Sequence, residues 1–250
     1  MSYGLYISAA GADTQRRRME VLSNNLANVD TAGFKRELAI PQARHAEAIE
    51  QGLASPGNRS MNDIGGGVRL RETVTDFGMG VLKHTGINSD FAINGEGFFV
   101  VDNDGQKMLT RAGNFHFTAD GRLRTQSGHP VLADSGSPVE ITPSLPWQLL
   151  PTGAIEQGGT VIPLAIVKPN SLGDLVKVGE TLFSPLAPTQ DVEVESRRVV
   201  SGFIEGSTVS PTTEMMLLIE TSRAYEANIK MIQNHDSVIG SLVNRVLRQG

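Results

Sequence analysis

The sequence predicts an α+β fold in which a long helix at each end of the chain pairs with the other as a coiled coil. A mainly-β, barrel- or sandwich-like domain is inserted between the two helices. Apolar residues recur at heptad spacing at both termini, and the middle of the chain alternates short apolar runs with glycine and proline turns. We expect residues 1–36 and 204–250 to form an inner helical domain, residues 37–75 a linker, and residues 76–203 the β domain.

The N-terminal helix is predicted from residue 5 to about residue 28, a stretch without proline. Its apolar positions recur at steps of four and three residues, which places them on one face of a helix. Arg16 and Ser23 interrupt this stripe. The predicted seam residues are Leu5, Ala9, Ala12, Met19, Leu22 and Leu26.

The C-terminal helix is predicted more strongly. Ser210 is a good N-cap residue, and Pro211 suits the first helical position. A helix over residues 211–248 would be about 57 Å long at about 1.5 Å per residue, which is long for a domain of this size. We therefore expect it to pack against the N-terminal helix. The predicted seam residues are Met215, Leu218, Tyr225, Ile229, Ile232, Ile239, Val243 and Val246.

Asp236 falls on the same heptad. A polar residue in a helix seam can fix the register of the helices at some cost in stability. Alternatively, the seam drifts around the helix and Asp236 is solvated. The sequence leaves both interpretations open.

The middle of the chain predicts short strands separated by turns. Residues 91–101 read as two strand pieces around Asn94-Gly95, and Asp104-Gly105 and Asp120-Gly121 are hairpin turn signals. Further strands are expected near residues 147–150, 154–157, 161–168 and 181–184. Residues 42–51 are predicted as a short helix, followed by an extended linker that ends in GNRSMNDIGGG.

Composition excludes several function classes. A net charge of −5 gives no reason to expect a nucleic-acid partner, because binding phosphates requires a basic face. The chain has no cysteine, which excludes disulfides, thiolate catalysis and cysteine-bound zinc. The basic residues of the N-terminus follow its apolar part, the reverse of a secretory signal peptide.

The sequence also lacks the common catalytic motifs. It contains no Gly-x-Ser-x-Gly, Walker A, Gly-x-Gly-x-x-Gly or His-Glu-x-x-His pattern. Asp102-Asn-Asp-Gly105 resembles the start of a calcium loop, but the twelfth position is Gly113 instead of glutamate, so a turn is favoured. We expect no catalytic, cofactor or metal site, no small-molecule substrate and no enzymatic activity.

Two other function classes remain as alternatives. One is a carbohydrate-acting enzyme, which would need two converging carboxylates from among Asp102, Asp104, Asp120 and Glu140. Most of these residues lie in predicted turns. The other is an adaptor or chaperone-like coiled coil, which would form a small stable oligomer in solution.

Three stretches of the chain together resemble the bacterial flagellar rod and hook proteins. The N-terminal SNNLANVDTAGFKRE is similar to the family pattern Asn-Asn-Leu-Ala-Asn followed by Thr/Ser-x-Gly-Phe-Lys/Arg. The middle stretches INGEGFFVV and LTRAGNFHFTADGRLRTQSGHPVLA resemble the β-domain motif of the family. GFIEGSTVSPTTEMMLLIETSRAYEANIKMI resembles its closing helix motif. The matches follow in the family's order and cover nearly the whole chain.

The resemblance implies a structural axial subunit of the flagellar basal-body rod, which polymerises helically through its paired terminal helices into a drive-shaft tube. The implied partners are further copies of the chain, other rod and hook axial proteins, and the flagellar type III export apparatus. Export to the periplasmic rod would then need no cleaved signal peptide. The chain length resembles that of rod proteins more than that of the longer hook protein. A proximal-rod member is expected first, with a distal-rod member as the near alternative.

The stretch SNNLANVDTAGFKRE contains no nucleophile and no ligand set. Residues 28–33 supply turn chemistry that ends the helix, with Gly33 at its last position, and Phe34 is an apolar anchor just beyond the turn. We expect Asn24, Asn25 and Asn28 to hydrogen-bond either the turn itself or neighbouring subunits. The predicted signature turn comprises Asn24, Asn25, Asn28, Gly33 and Phe34.

Overall fold

The computed structural model describes residues 3–53, 55, 57, 65–179 and 181–247 of the chain. These residues divide into two compact units. The helical unit lies within Met1–Ala27, Glu37–Val74 and Ser210–Gly250, and the β unit comprises Asn28–Arg36 and Thr75–Val209. The α+β class predicted from the sequence is confirmed.

Both predicted terminal helices are present. In the described part of the chain, the α-helices are α1 (Tyr3–Ala27), α2 (Glu47–Glu50) and α3 (Pro211–Leu247). The backbone carbonyl of Ser210 accepts the N–H of Glu214 at 3.0 Å, so α3 begins where the serine–proline pair predicted. With 37 residues, α3 is about 55 Å long at 1.5 Å per residue.

Short strands and two 3-10 helices, Leu172–Asp174 and Val194–Ser196, make up most of the remaining regular structure of the described residues. The strands are β1 (Glu37–Leu38), β2 (Pro41–Ala43), β3 (Val68–Leu70), β4 (Val74–Thr75), β5 (Leu82–His84), β6 (Phe91–Ile93), β7 (Phe98–Asn103), β8 (Gln106–Thr110), β9 (His116–Phe117), β10 (Leu123–Arg124), β11 (Trp147–Leu149), β12 (Ala154–Gln157), β13 (Thr160–Pro163), β14 (Ile166–Pro169), β15 (Leu175–Val178), β16 (Leu182–Pro185), β17 (Thr189–Asp191), β18 (Val199–Ser201) and β19 (Phe203–Glu205).

The β unit is built on an open six-stranded antiparallel sheet in the order β15-β16-β8-β7-β14-β17. The outer strands β15 and β17 do not pair with each other, so the barrel-like alternative is wrong for the described strands. Smaller sheets pair β11-β12-β13, β9-β10, β6-β18 and β5-β19, and elsewhere β1 pairs with β4 and β2 with β3.

Strand β7 shows why the sheet does not need to close. Phe98 and Val100 point to one face, where they pack in a cluster with Phe183. Phe99 and Val101 point to the other face and join a larger cluster. Apolar side chains on both faces of the sheet are therefore buried in these two clusters. The sheet does not need to close into a barrel to bury them.

The predicted hairpin at Asp104-Gly105 is confirmed. It joins β7 to β8, with Asn103 opposite Gln106. Asp104 has φ 52° and Gly105 has φ 85°, the two positive values that a tight two-residue hairpin turn requires. Turn chemistry therefore explains the resemblance of this stretch to a calcium loop.

The segment predicted as a linker contains regular structure. The predicted helix over residues 42–51 is shorter than expected, because residues 41–43 form β2 and pair with β3, leaving only Glu47–Glu50 helical. The hydroxyl of Thr14 in α1 donates to the carbonyl of Val68 in β3 at 3.1 Å. Residues 58–64 of the predicted extended linker lie outside the described residues.

Gly113 is required by a close backbone approach. A Cβ at this position would lie 1.6 Å from the carbonyl oxygen of Phe91. We predict that Gly113→Ala lowers the free energy of unfolding by more than about 2 kcal/mol, since the backbone must move to relieve the overlap. Urea unfolding followed by the fluorescence of Trp147, the one tryptophan of the chain, measures the change.

Gly173→Ala is the matched control. A Cβ there would have its nearest neighbour at 3.5 Å, and Gly173 is exposed. Its effect should stay within about 0.5 kcal/mol, as expected for a surface position. Equal effects of the two substitutions would contradict the steric explanation.

Candidate functional site

Two glycines bring α1 close to α3. A Cβ on Gly4 would lie 2.9 Å from Nε2 of His235, and a Cβ on Gly11 would lie 2.9 Å from Oδ1 of Asn228. A step of seven residues forward in α1 thus corresponds to a step of seven residues backward in α3. The two helices are therefore antiparallel at these contacts, and the glycines allow a close approach of their backbones.

Asn25 continues this register at the other end of α1. Its side chain exchanges two hydrogen bonds with the backbone of Glu37, at 2.8 and 2.9 Å, and Nδ2 also donates to Oε2 of Glu214 at 3.3 Å. Asn25 follows Gly11 by fourteen residues, and Glu214 precedes Asn228 by fourteen. Asn25 and Glu214 are both fully buried, so this part of the signature bonds within the chain.

The predicted seam residues of α1 differ in burial. Ala12 and Leu22 are buried, and Ala9 is exposed. The remaining three are half-buried: Leu5, Met19 and Leu26. The glycines and Asn25, which contact α3 directly, were not among the seam residues predicted from apolar spacing.

The predicted seam residues of α3 also divide into two groups. Asp236 is exposed, so the solvated interpretation is the one that the structure supports. Val246 lies in α3, and its side chain is outside the described residues. The half-buried residues are Leu218, Tyr225, Ile229 and Ile232, and the exposed ones are Met215, Ile239 and Val243.

A polar line on α3 escaped the sequence prediction. Glu214 and Thr221 are buried, and Asn228 and His235 are half-buried. These four residues follow one another at steps of seven, so they share one face of the helix. A search for apolar periodicity passes over such a line, although its spacing is visible in the sequence.

The end of α3 exposes apolar side chains. His235 lies against Gly4, close to the start of α1. Beyond His235, Ile239 and Val243 follow at steps of four, and they are 47% and 49% exposed. Val238 and Leu242 nearby are 62% and 63% exposed. This apolar end, residues 238–243, is the largest departure of α3 from the polarity of a water-exposed helix.

The signature turn, which follows the end of α1, is held by hydrogen bonds between its own residues. The Thr31 hydroxyl donates to Oδ1 of Asn28 at 3.1 Å, and the Thr31 N–H donates to the Asn28 carbonyl at 3.2 Å. For Asn28, the expected hydrogen bond within the turn is therefore present. Asn24 is exposed.

Gly33 and Phe34 fix the end of the turn. Gly33 has φ 68°, and a Cβ there would lie 2.2 Å from the backbone nitrogen of Ala112. Phe34 is fully buried, and the ammonium of Lys177 lies 3.8 Å from the centre of its ring. Phe34 therefore occupies a buried position directly after the turn.

Lys35, the residue after Phe34, belongs to a buried cluster of charged side chains. Glu205 is fully buried, and its Oε1 accepts hydrogen bonds from the Lys35 ammonium at 2.6 Å and from the Gly80 N–H at 2.8 Å. Its Oε2 accepts from the Arg111 guanidinium at 3.2 Å. Lys35 is 1% exposed and Arg111 8% exposed. We call these three residues the Glu205 cluster.

Burial disfavours the charged form of both basic side chains in the Glu205 cluster. Loss of hydration lowers the pKa of Lys35, and the hydrogen bond that its ammonium donates to Glu205 partly opposes that shift. Burial likewise lowers the pKa of Arg111, and the charge of Glu205 opposes it. One carboxylate thus stabilises two cations that water no longer reaches.

A surface cavity of the β unit is lined by carboxylates other than the four considered for catalysis. A surface cavity of about 270 Å³ is lined by Asp134, Asp191 and Lys107 among others, and it includes none of the four carboxylates named above. Asp134 forms a salt bridge with Arg197 at 3.0 Å, and Glu140 forms one with Arg122 at 2.7 Å. Within the described ranges, no group of three or more histidines and carboxylates could hold a metal ion.

The described helices include none that is both long enough and apolar enough to cross a membrane.

Three family models match the chain. The model for flagella basal body rod proteins matches residues 5–35. The model for the D1 domain of the flagellar hook protein FlgE/F/G matches residues 92–163. The model for the C-terminal part of flagellar basal body rod FlgEFG proteins matches residues 200–245.

Curated relatives match along nearly the whole chain. The flagellar basal-body rod protein FlgF of Caulobacter vibrioides is 33% identical over 248 residues, 98% of either chain. The FlgG protein of Buchnera aphidicola subsp. Schizaphis graminum is 32% identical over 262 residues, 95% of this chain and 97% of the relative. The chain belongs to the flagellar basal-body rod protein family. FlgG of Bacillus subtilis is 28% identical, with 98% of this chain and 99% of the relative covered.

Membership in the rod protein family confirms the predicted function of a structural axial subunit of the basal-body rod. It also gives the Glu205 cluster a place in the family pattern. Lys35 lies in the first matched range, Arg111 in the second and Glu205 in the third. All three residues lie within the motifs that carry the family resemblance, but their sequence context predicts no role for them. A charged residue within two positions of a glycine in each of the three motifs was the available signal.

Replacing Glu205 should destabilise the β unit strongly. Glu205→Gln removes the only carboxylate of the Glu205 cluster and leaves two buried cations without a counter-charge. We predict a loss of about 3 kcal/mol or more in the free energy of unfolding. Trp147 fluorescence during urea unfolding checks this value. Glu140→Gln, which breaks the exposed pair with Arg122, is the control and should cost about 1 kcal/mol or less. Similar losses in the two variants would argue against the assigned role.

The lowered pKa of Lys35 predicts a specific pH dependence. Just below the unfolded lysine pKa of about 10.4, the unfolded chain binds a proton that the folded chain has already released. Stability rises with pH wherever the unfolded state binds more protons. The free energy of unfolding of the wild type, relative to Lys35→Met, should therefore rise as the pH increases towards 10.

Urea unfolding from pH 7 to pH 10 measures this difference. Lys83→Met, at an exposed position of the same unit, is the reference for the loss of a lysine. A wild-type advantage over Lys35→Met that decreases across this range would contradict the direction of the pKa shift.

Proposed function

We propose that copies of this rod protein polymerise helically, with α1 and α3 paired as a coiled coil that forms the tube of the drive shaft. The observation that supports this proposal is the apolar end of α3, residues 238–243, with its four largely exposed apolar side chains. Each Å² of apolar surface left in water costs about 25 cal/mol, so a concentrated patch of this kind indicates a surface that assembly covers.

The position of the apolar end favours a second protein chain as its cover. Ile239 and Leu242 follow His235 by four and seven residues, so they continue the side of α3 that faces α1. They lie past His235, whose contact is Gly4, near the start of the described part of α1. A second exposed apolar group lies at the other end of α3, at Met215, Met216 and Ile219. Two different apolar surfaces on one helix suit a head-to-tail contact, which does not close and therefore produces a helical polymer.

The proposed partners are further copies of the chain and other flagellar rod and hook axial proteins. The basal body is the location that family membership supports. Export to the periplasmic rod through the flagellar type III apparatus, without a cleaved signal peptide, belongs to the same proposal. A structural subunit of this kind requires no substrate, cofactor or metal ion, and we propose that the chain is not an enzyme.

We place the chain in the proximal rod, with the distal rod as the alternative. The Caulobacter vibrioides FlgF aligns over 248 residues, which fits the 250 residues of this chain. The alignments with FlgG of Buchnera aphidicola and Bacillus subtilis extend over 262 and 264 positions, so they need insertions relative to this chain.

A charge-substitution test addresses the apolar end directly. We predict that Ile239→Glu with Val243→Glu abolishes rod assembly and swimming while leaving the fold of the monomer intact. Both side chains are already half exposed, so the new charges meet water in the monomer and an apolar neighbour in the polymer. Soft-agar swimming and electron microscopy of isolated basal bodies, in a strain whose own copy of the gene is deleted, measure the outcome.

The matched control is Ser237→Glu with Ser241→Glu. Each serine lies two residues before its counterpart, which places it about 200° around the helix at 100° per residue. Both serines are exposed. The control adds the same two charges at the same spacing and should support normal rods. Normal rods from the Ile239 and Val243 variant, or failure of both variants, would overturn the proposed role of this surface.

A further inference from the structure

Two segments of the β unit that are far apart in sequence are bonded directly to each other. The N–H of Gly33 donates to the carbonyl of Glu205 at 2.7 Å, and the N–H of Thr208 donates to the carbonyl of Phe34 at 3.1 Å. The N–H of Arg36 donates to the Thr208 hydroxyl at 2.9 Å. Residues 33–36 and 205–208 are thus bonded to each other over more than 160 positions of sequence.

A third segment joins them. The carbonyl of Arg36 accepts the N–H of Asp76 at 2.8 Å. The Lys35 ammonium, besides its bond to Glu205, donates to the carbonyl of Gly78 at 2.7 Å. Gly80 completes the set, because its N–H donates to the Glu205 carboxylate. The Glu205 cluster therefore lies where residues 33–36, 76–80 and 205–208 meet.

These three segments share one property. Each lies beside a point where the chain passes between the two units, at residues 36–37, 74–75 and 209–210. Any force that the helices transmit along the chain enters the β unit through these segments. Bonds among the three segments distribute such a force over several strands instead of one.

We propose that the Glu205 cluster and its backbone bonds form a clasp, and that rod assembly requires the clasp to hold these segments together. The clasp rests on the proposed rod function, because only a subunit joined to others through its helices carries force across these segments. Its role is distinct from general stabilisation of the β unit.

The chemistry of the Glu205 cluster supports this role. Buried ion pairs are poor stabilisers compared with well-packed apolar side chains of the same volume. Their hydrogen bonds, however, hold the partners in one geometry. The β unit already has two apolar clusters for stability. A buried carboxylate with three donors suits a site at which the distances between the three segments matter.

A mild variant separates the clasp from overall stability. Thr208→Val removes the acceptor of the Arg36 N–H and leaves the Glu205 cluster untouched. Thr118→Val is the matched control, since the Thr118 hydroxyl also accepts a backbone N–H in the β unit, from Arg122 at 3.2 Å. We expect similar shifts in melting temperature for both variants, with loss of swimming in Thr208→Val only. Normal swimming in both variants would count against the clasp.

A covalent replacement gives the decisive test, because the chain has no cysteine of its own. The bond from Arg36 to Thr208 keeps their Cα atoms within about 7 Å, near the upper limit for a disulfide. Arg36→Cys with Thr208→Cys should restore swimming to Glu205→Gln cells, and dithiothreitol should abolish it again. Gln148→Cys with Glu156→Cys links registered neighbours of β11 and β12 and provides a disulfide outside the clasp.

The outcomes separate the two proposals. Rescue by the Arg36–Thr208 disulfide alone supports the clasp. Rescue by both disulfides overturns it, because the Glu205→Gln variant then lacked only stability. Rescue by neither disulfide also overturns it, because a link between residues 36 and 208 is then not what assembly requires. Incorporation of the wild-type chain into isolated basal bodies is scored in parallel by immunogold labelling. Its absence there would contradict the rod function itself, whatever the disulfides do.

Discussion

The buried carboxylate of Glu205 is the constraint on which the organisation of the β unit depends. A carboxylate with no access to water requires donors from the protein, and Glu205 obtains them from Lys35, Arg111 and Gly80. These donors come from separate stretches of the chain, and the Glu205 carbonyl also holds Gly33 in its left-handed conformation. Satisfying one buried charge therefore brings together the turn after α1, the central β motif and the strand that precedes α3.

The helical unit follows a different principle. Gly4 and Gly11 let the backbones of α1 and α3 approach each other, while Asn228 and His235 fill the space that the glycines leave. This face consists largely of small and polar residues, so close packing and hydrogen bonds determine its register. The apolar side chains of α3 are left elsewhere, including the exposed residues of the apolar end. A helix that turns a polar line towards its partner and leaves part of its apolar surface in water is suited to association with further helices.

The two units therefore differ in how completely each buries its own apolar side chains and pairs its own buried charges. The β unit has apolar clusters on both faces of its main sheet and buries its charges in pairs. The helical unit buries few large apolar side chains, and the one large side chain that α1 buries fully among its predicted seam residues is Leu22. The proposed helical polymer would give this difference a function, because each subunit would obtain part of its apolar burial from its neighbours.

The sequence by itself determined the fold class, the two terminal helices, the β7–β8 hairpin and the family, since heptad spacing, turn chemistry and motif order are local properties of the chain. It did not determine which face of α3 meets α1, because Glu214, Thr221, Asn228 and His235 are polar and leave no apolar signal. Nor did it show that Asn25 is buried or that Asp236 is exposed, because both depend on where the partner helix lies. The convergence of Lys35, Arg111 and Glu205 was likewise decided by tertiary structure alone. Pairing between charges so distant in sequence depends on the path of the whole β unit, which no local pattern encodes.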